Sequence, residues 1–235
     1  MGIENRAGVS RVLGLIPARA GSKGVSKKNM RLVGSQTLLE RAVASALRSN
    51  SLDQLWVSSD SSEILEIATA KGVFAHLRSS ETASDEATAA QVIEEFIAHL
   101  RADLKDVIVY LQPTSPFRTS TSIEESVQLF FDQGQLPVVS VTPMKQHPAK
   151  ALRLLTNGRV GPAALDGQVP GANRQILPEY LYPNGAIYVF TVADFLASKD
   201  VPLSGAVPYL MSQIESMDID TETDLFISER LSSEV

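Results

Sequence analysis

The chain has 235 residues, 44% of them hydrophobic and 20% charged. That is enough to bury a sizeable core and too apolar for a disordered segment. Its formal net charge of -6, from 21 Lys and Arg against 27 Asp and Glu, is the wrong sign for general attraction to a nucleic-acid backbone or an anionic membrane. Neither is expected as a partner, and an anionic ligand must be captured locally. The absence of cysteine excludes disulfides, thiol nucleophiles, Cys-based zinc sites and iron–sulfur clusters. The first residues, MGIENRAGVSR, carry no apolar targeting segment, and no apolar run approaches the ~18 residues that cross a bilayer, so a cytoplasmic protein is expected.

Short apolar, β-branched runs alternate with segments whose apolar residues recur at three and four, the pattern of βα units around a mostly parallel sheet flanked by helices. Val12 to Ile16 reads as the first strand, and a polar loop separates it from a helix carrying Leu38, Leu39, Ala42, Val43, Ala46 and Leu47, which starts near Ser35 or Thr37. Leu55 to Ser58 reads as a strand, with Ser58-Ser59-Asp60 as the N-cap of a helix through Ile64, Leu65, Ile67 and Ala68. Val73 to Leu77 is the next strand, followed by a helix through Val92, Ile93, Phe96, Ile97 and Leu100, with His99 a bystander on it. Val107 to Leu111 reads as a buried strand, Ser122 with Glu125 as a capping box ahead of Val127, Phe130 and Phe131, and Val138 to Val141 as another strand. Trp56, inside a strand run, is read as core.

From about 143 to 183 the rhythm gives way to Pro143, Pro148, Pro162, Pro170, Pro178 and Pro183 with glycines between them, an excursion from the core. Regularity returns at Ala186 to Phe190, then in an alternation through Met217, Asp218, Ile219 and Asp220, read as a strand. A last helix runs from Thr221 towards Leu231, with Asp224 three residues after its cap. The whole of 1–235 reads as one domain.

Ligands of open α/β sheets sit beyond the carboxyl ends of the strands, and the segments there are rich in chemistry. Pro17 to Asn29 combines glycines that allow close backbone approach with cations including Arg19, Lys23 and Lys28, the composition of a phosphate cradle or of a solvated basic turn. It matches neither G-x-x-x-x-G-K-[ST] nor G-x-G-x-x-G. Asp218 and Asp220, two apart on an extended segment, share a face and suit a hard cation bound through carboxylates and phosphate oxygens, unless they are merely solvated acids at a strand end. Gln112-Pro113-Thr114-Ser115-Pro116-Phe117-Arg118 offers an amide, hydroxyls and a guanidinium on a stiff loop, either to read a polar sugar or to make a turn. His76, His99 and His147 show no i,i+4 pair and no triad order, which argues against a hydrolase.

Together these segments resemble the acylneuraminate cytidylyltransferase family, the CMP-sialic acid synthetases, from about Leu13 to Leu231. The resemblance rests on five motifs in order: Ile16-Pro17-Ala18-Arg19-Ala20-Gly21-Ser22-Lys23-Gly24 with Lys28-Asn29; Leu77-Arg78-Ser79-Ser80-Glu81 with Ala83-Ser84-Asp85; Leu111-Gln112-Pro113-Thr114-Ser115-Pro116; Pro183-Asn184-Gly185-Ala186-Ile187-Tyr188; and Met217-Asp218-Ile219-Asp220-Thr221-Glu222. It implies a Rossmann-like nucleotidyltransferase fold and attack of the anomeric hydroxyl of a nonulosonic acid on the α-phosphorus of CTP, releasing pyrophosphate. A sister enzyme using an eight-carbon ulosonic acid or GTP, and a non-catalytic nucleotide-binding module, are the alternatives.

By the same resemblance Arg19 and Lys23 hold the phosphates within a nucleotide loop that includes Ala18, Gly21 and Ser22, and Asn29 contacts the ribose. Arg78 and Ser84 read the cytosine, and Gln112 with Thr114 and Ser115 forms the sugar side. Asp218 and Asp220 hold Mg²⁺ or Mn²⁺. The excursion corresponds to a segment that joins two copies in a homodimer, with Lys150 and Arg174 serving the neighbouring subunit's sugar carboxylate. Two departures stand out: Tyr182 precedes Pro183-Asn184-Gly185 where several sialic-acid users carry a base, and Val25-Ser26 stands where a proline is common at the second position. These differences leave the nucleotidyl transfer reading intact and widen the sugar choice to legionaminic, pseudaminic or another nonulosonic acid.

Overall fold

The computed structural model of the chain describes residues 8–163 and 178–233. Its central sheet is built from β1 (Val12–Pro17), β4 (Gln54–Ser59), β5 (Phe74–Leu77), β6 (Val107–Tyr110), β7 (Val138–Pro143), β10 (Leu181–Thr191) and β11 (Val207–Leu210). Two small ribbons stand apart from it, β2 (Leu32–Val33) with β3 (Gln36–Thr37), and β8 (Leu152–Leu154) with β9 (Val160–Pro162). Among the described residues the α-helices are α1 (Leu38–Leu47), α2 (Ser62–Ala70), α3 (Ala89–Leu100), α4 (Ser120–Asp132) and α5 (Val192–Ser198), which lie between strands, and α6 (Glu222–Leu231), which follows the last one.

The strand order is β11-β7-β10-β6-β1-β4-β5, and neighbours run parallel except for β10, which is antiparallel to β6 and β7. Alternate side chains feed two layers. Val12, Val57, Val107 and Val109 pack under Leu39 and Val43 of α1, Ile64 of α2 and Phe130 of α4. Leu13, Leu15, Ile108 and Tyr110 meet Ile93 and Phe96 of α3 and Phe195 of α5 on the other face. Covering both faces is why β6 reads as a continuous apolar run instead of an alternation. This is the expected α/β layering.

Local chemistry sets the helix starts. Thr37 caps α1 in a box with Glu40, and Thr221 caps α6 with Asp224. Three expectations need correction. The cap of α4 is Thr119, whose side chain accepts from the Ser122 N–H, while Ser122 is buried in the helix with its hydroxyl donating to Glu215 and Glu125 accepts from Tyr209. The cap of α2 is Ser61, not the Ser58-Ser59-Asp60 triplet. Residues 217–220 form coil with no ladder partner, because Ile219 is held by the Thr114 carbonyl and the third apolar cluster and not by a strand. Trp56, read as core, packs half buried against the second cluster and stacks on Phe74, ring centroids 4.8 Å apart.

The proline-rich excursion leaves and rejoins the sheet at one place, since Pro143 at the end of β7 is the register partner of Leu181 at the start of β10. A third apolar cluster of Val25, Val33, Leu38, Phe117, Ile219 and Leu225 ties the loop after β1 to the chain before α6.

Candidate active site

A cavity of about 440 Å³ opens at the carboxyl ends of β1, β4, β5 and β6 and is lined by Pro17, Arg19, Gly21, Ser22, Lys28, Asn29, Arg78, Gln112, Thr114, Asp218 and Asp220, among others. The apolar side chain of Val92 and the buried Tyr110 contribute a wall beside Ala87, Thr88 and Ala89, where the chain enters α3. That helix start presents N–H dipoles favourable to anions. The volume is in the range of small-ligand clefts.

The loop after β1 is pinned by its backbone. The Ala18 N–H donates to the Ser58 carbonyl at 2.8 Å, the Ala20 N–H to Asp60 at 2.8 Å, and Asn29 Nδ2 to the Arg19 carbonyl at 2.8 Å. Asn29 is thus buried beneath the loop while still lining the cavity. Arg19 bridges across the mouth to Asp85 at 2.9 Å and to the Ser84 carbonyl at 2.9 Å. Ser84 therefore meets Arg19 through its backbone and does not line the cavity. Lys23 does not line it either: its side chain is exposed, 3.9 Å from Asp85.

The acidic pair faces this loop. Ile219, fully buried between the two acids, donates its N–H to the Thr114 carbonyl at 3.0 Å and anchors the segment in the third cluster. Asp218 is half buried, and its Oδ1 is inaccessible and has no hydrogen-bond partner. Burial pushes the Asp218 carboxyl above the usual carboxylate range; the Thr114 hydrogen bond opposes that shift and Asp220 adds to it. Asp220 is exposed and pairs with Lys28 Nζ at 3.0 Å, the same ammonium donating to the Ile219 carbonyl at 2.8 Å. A β carbon at Gly24 would collide with the Asp220 carbonyl, so this close approach of loop and acidic segment requires glycine.

No group of three or more His, Cys, Asp or Glu able to hold a metal occurs among the described residues. Two carboxylates nonetheless match a magnesium ion that takes its remaining ligands from phosphate and water. The partnerless buried oxygen of Asp218 fits that role.

Just beyond β5, Arg78 is buried, and burial pushes its guanidinium pKa down. Its Nε and Nη2 donate to the Ser58 hydroxyl and carbonyl, each at 2.9 Å. Gln112 lines the same cavity, and Gly185, at φ +77°, leaves room for its amide: a β carbon there would lie 2.5 Å from Gln112 Oε1. Ser115 is buried with its hydroxyl unpartnered and does not line the cavity, whereas Thr114 does. Lys150 lies elsewhere, in a small concavity with Lys145, Gln146 and His147. Arg174 falls outside the described residues. A second cavity of about 690 Å³ meets the first at Asp218 and is lined by Tyr182, Met144, Ile214 and Met217 among others.

From sequence, Lys28 is one cation of the loop with no role of its own, and Ser58-Ser59-Asp60 is a helix cap with no place in the site. The basic residue beside Asn29 was the available signal for Lys28. Nothing local marks Ser58 and Asp60, whose partners lie 20 and 40 positions away.

A layered α/β sheet with a cationic glycine loop opposite paired carboxylates defines a nucleotidyltransferase-like architecture. Solved structures share the fold: CMP:2-keto-3-deoxy-manno-octonic acid synthetase complexed with CTP (TM-score 0.68, 17% identity, 96% of this chain and 99% of that one), and a 4-diphosphocytidyl-2C-methyl-D-erythritol synthase (TM-score 0.65, 16% identity, 95% and 99%). These likenesses speak to fold alone.

The chain belongs to the cytidylyltransferase family, whose sequence profile matches residues 13–154. It is similar to the CMP-N,N'-diacetyllegionaminic acid synthase of Legionella pneumophila, 33% identical over 226 residues covering 94% of this chain and 96% of that protein. It is also similar to the N-acylneuraminate cytidylyltransferases of Streptococcus agalactiae serotype V, 31% identical over 214 residues, and of Escherichia coli O18:K1:H7, 32% identical over 217 residues. These alignments cover 89% and 92% of this chain but 50% of each relative, so the chain spans about half the length of the N-acylneuraminate enzymes it matches.

Proposed function

We propose that the chain transfers CMP from CTP to the anomeric hydroxyl of a nonulosonic acid. The anomeric oxygen forms a bond to the α-phosphorus, the α–β bridging P–O bond breaks, pyrophosphate leaves with that electron pair, and the hydroxyl proton passes to solvent. The observation that carries this reading is one cavity joining the cationic loop, a buried arginine with unspent donors and a buried carboxylate oxygen without a partner. The printed activities of the relatives point the same way.

Chemistry of this kind rests on positioning and charge neutralisation. Arg19 and Lys28 meet the phosphates, Lys23 adding charge at the rim, while the backbone of Ala18, Gly21 and Ser22 lets them approach. Asn29 sets the loop beside the ribose. Arg78 has five N–H donors, of which the protein takes three, to the Ser58 hydroxyl, the Ser58 carbonyl and the Thr82 carbonyl. The two that remain suit the adjacent acceptors O2 and N3 of cytosine and would meet an N–H at N3 of uracil. Asp218 and Asp220 would hold Mg²⁺ or Mn²⁺, which supplies charge neutralisation at the phosphates when bound. Gln112 orients the acceptor, whose far end extends past Asp218 into the second cavity. The apolar Met144, Ile214 and Met217 there favour an acceptor less polar at that end than N-acetylneuraminic acid.

A homodimer completes this reading. Leu152, Leu154 and Val160 on the β8–β9 ribbon are exposed and would be covered by a second copy, bringing Lys150 and Arg174 to a neighbour's sugar carboxylate. Among the described residues no helix is long and apolar enough to cross a membrane. Pyrophosphate release with CTP and Mg²⁺ tests the reading against N-acetylneuraminic, legionaminic, pseudaminic and eight-carbon ulosonic acids, with UTP and GTP as alternative nucleotides. Turnover with a nine-carbon acid and CTP is expected. Turnover only with the eight-carbon acid or GTP would transfer the chain to the sister activity, and CTP binding without turnover on any acid would overturn the catalytic reading.

A further inference from the structure

Arg78 is held by a short relay. Ser58 and His76 are register partners on the parallel pair β4–β5, so the sheet itself sets their spacing. Ser58 is fully buried, and its Oγ lies 2.9 Å from Arg78 Nε and 2.9 Å from His76 Nδ1. An arginine donates and never accepts, so the Ser58 oxygen is the acceptor in the first contact. The hydroxyl's single proton then needs an acceptor of its own, and His76 Nδ1 is the one present among the described residues. His76 is consequently neutral, with its ring proton on Nε2. Its surroundings agree: the ring is 1% exposed, against Phe96 and His99 of α3. Burial first and His99 second lower its pKa to about 4, Arg78 adding to the shift and Glu95 opposing it.

We propose that His76 is a positioning residue for base recognition: it takes the Ser58 hydroxyl proton, turns the Ser58 lone pair to Arg78, and so aims the two unspent N–H groups of the guanidinium into the cavity. The proposal rests on the reading of Arg78 as the base-contacting group. His76→Phe, which fills the space without an acceptor, should raise the KM for CTP roughly tenfold with kcat changed by less than about threefold, the size of one lost hydrogen bond to a charged group. The same variant should narrow the preference for CTP over UTP. His76→Asn, whose Oδ1 can stand where Nδ1 stood, should restore most of both. ¹⁵N shifts of the His76 ring in the wild-type protein read the tautomer directly and need no variant to fold.

An Nδ1-protonated ring, or a His76→Phe protein with wild-type KM and nucleotide preference, overturns the proposal. Arg78→Ala separates the two levels. If it leaves the KM for CTP unchanged, the assignment of Arg78 is at fault. If it raises KM while His76→Phe does not, the relay is.

Discussion

Asp218 shows most plainly how the site trades stability for function. Its Oδ1 is buried with no partner, and Asp220, two residues on, adds a like charge. A buried carboxylate beside a like charge is destabilising until a cation meets it, and Thr114 and Lys28 offset only part of that here. Asp218→Asn should therefore raise the melting temperature of the metal-free protein, by the equivalent of about 1 kcal/mol, while removing turnover; a thermal scan with and without Mg²⁺ checks this. Asp220→Asn should lower kcat on the order of 10² or more at saturating Mg²⁺, as the loss of one preorganised charge does. His76 supplies a pH signature. Its folded pKa of about 4 lies below the ordinary 6.5, so between these values the unfolded chain holds a proton that the folded chain lacks. Stability should fall as pH drops through that window, by up to about 1.4 kcal/mol per pH unit from this group. Unfolding free energies of the wild type and His76→Phe across pH 4 to 7 report it, the variant showing the shallower slope.

Among the elements, the coil of residues 217–220 carries the site without belonging to the sheet. It stays in place because Ile219 is packed with Val25, Leu38 and Leu225 and because Gly24 lets the loop after β1 come against it. Ile219→Ala should cost about 2–5 kcal/mol by cavity formation. Residual folded protein should turn over slowly, since loop and acids lose their common anchor; denaturant unfolding paired with kcat at low temperature measures both. The helices and parallel strands were legible from periodicity because burial on one or both faces dictates it. The edge strand β11 was not, since its Val-Pro-Tyr-Leu sequence holds a proline, tolerated where only β7 pairs with it. The seven-residue α5 is too short to show a period. The alternation across Asp218 to Asp220 looked like a strand because extended coil and strand place side chains alike; only the missing ladder tells them apart.

For the whole molecule, the legible part of the site was its order of motifs, and the illegible part was what folding brings together from a distance. Lys28 and Asp220 are 192 positions apart and still form an ion pair, and Ser58, His76 and Arg78 come together only because β4 and β5 are in register. Assembly is a property at this scale as well. If the exposed β8–β9 ribbon is the seam of a homodimer, Leu154→Glu should shift the protein to monomer in sedimentation and raise the KM for the acceptor acid more than that for CTP. An unchanged oligomer would place the seam elsewhere.

The central claim is the bond that forms, and an oxygen label follows it directly. The acceptor acid is supplied with ¹⁸O at its anomeric hydroxyl, together with CTP and Mg²⁺, and the products are weighed by mass spectrometry. The account predicts a CMP-sugar carrying the label in its P–O–C bridge and unlabelled pyrophosphate. Loss of the label from the CMP-sugar, or release of inorganic phosphate and CDP in place of pyrophosphate, would contradict it.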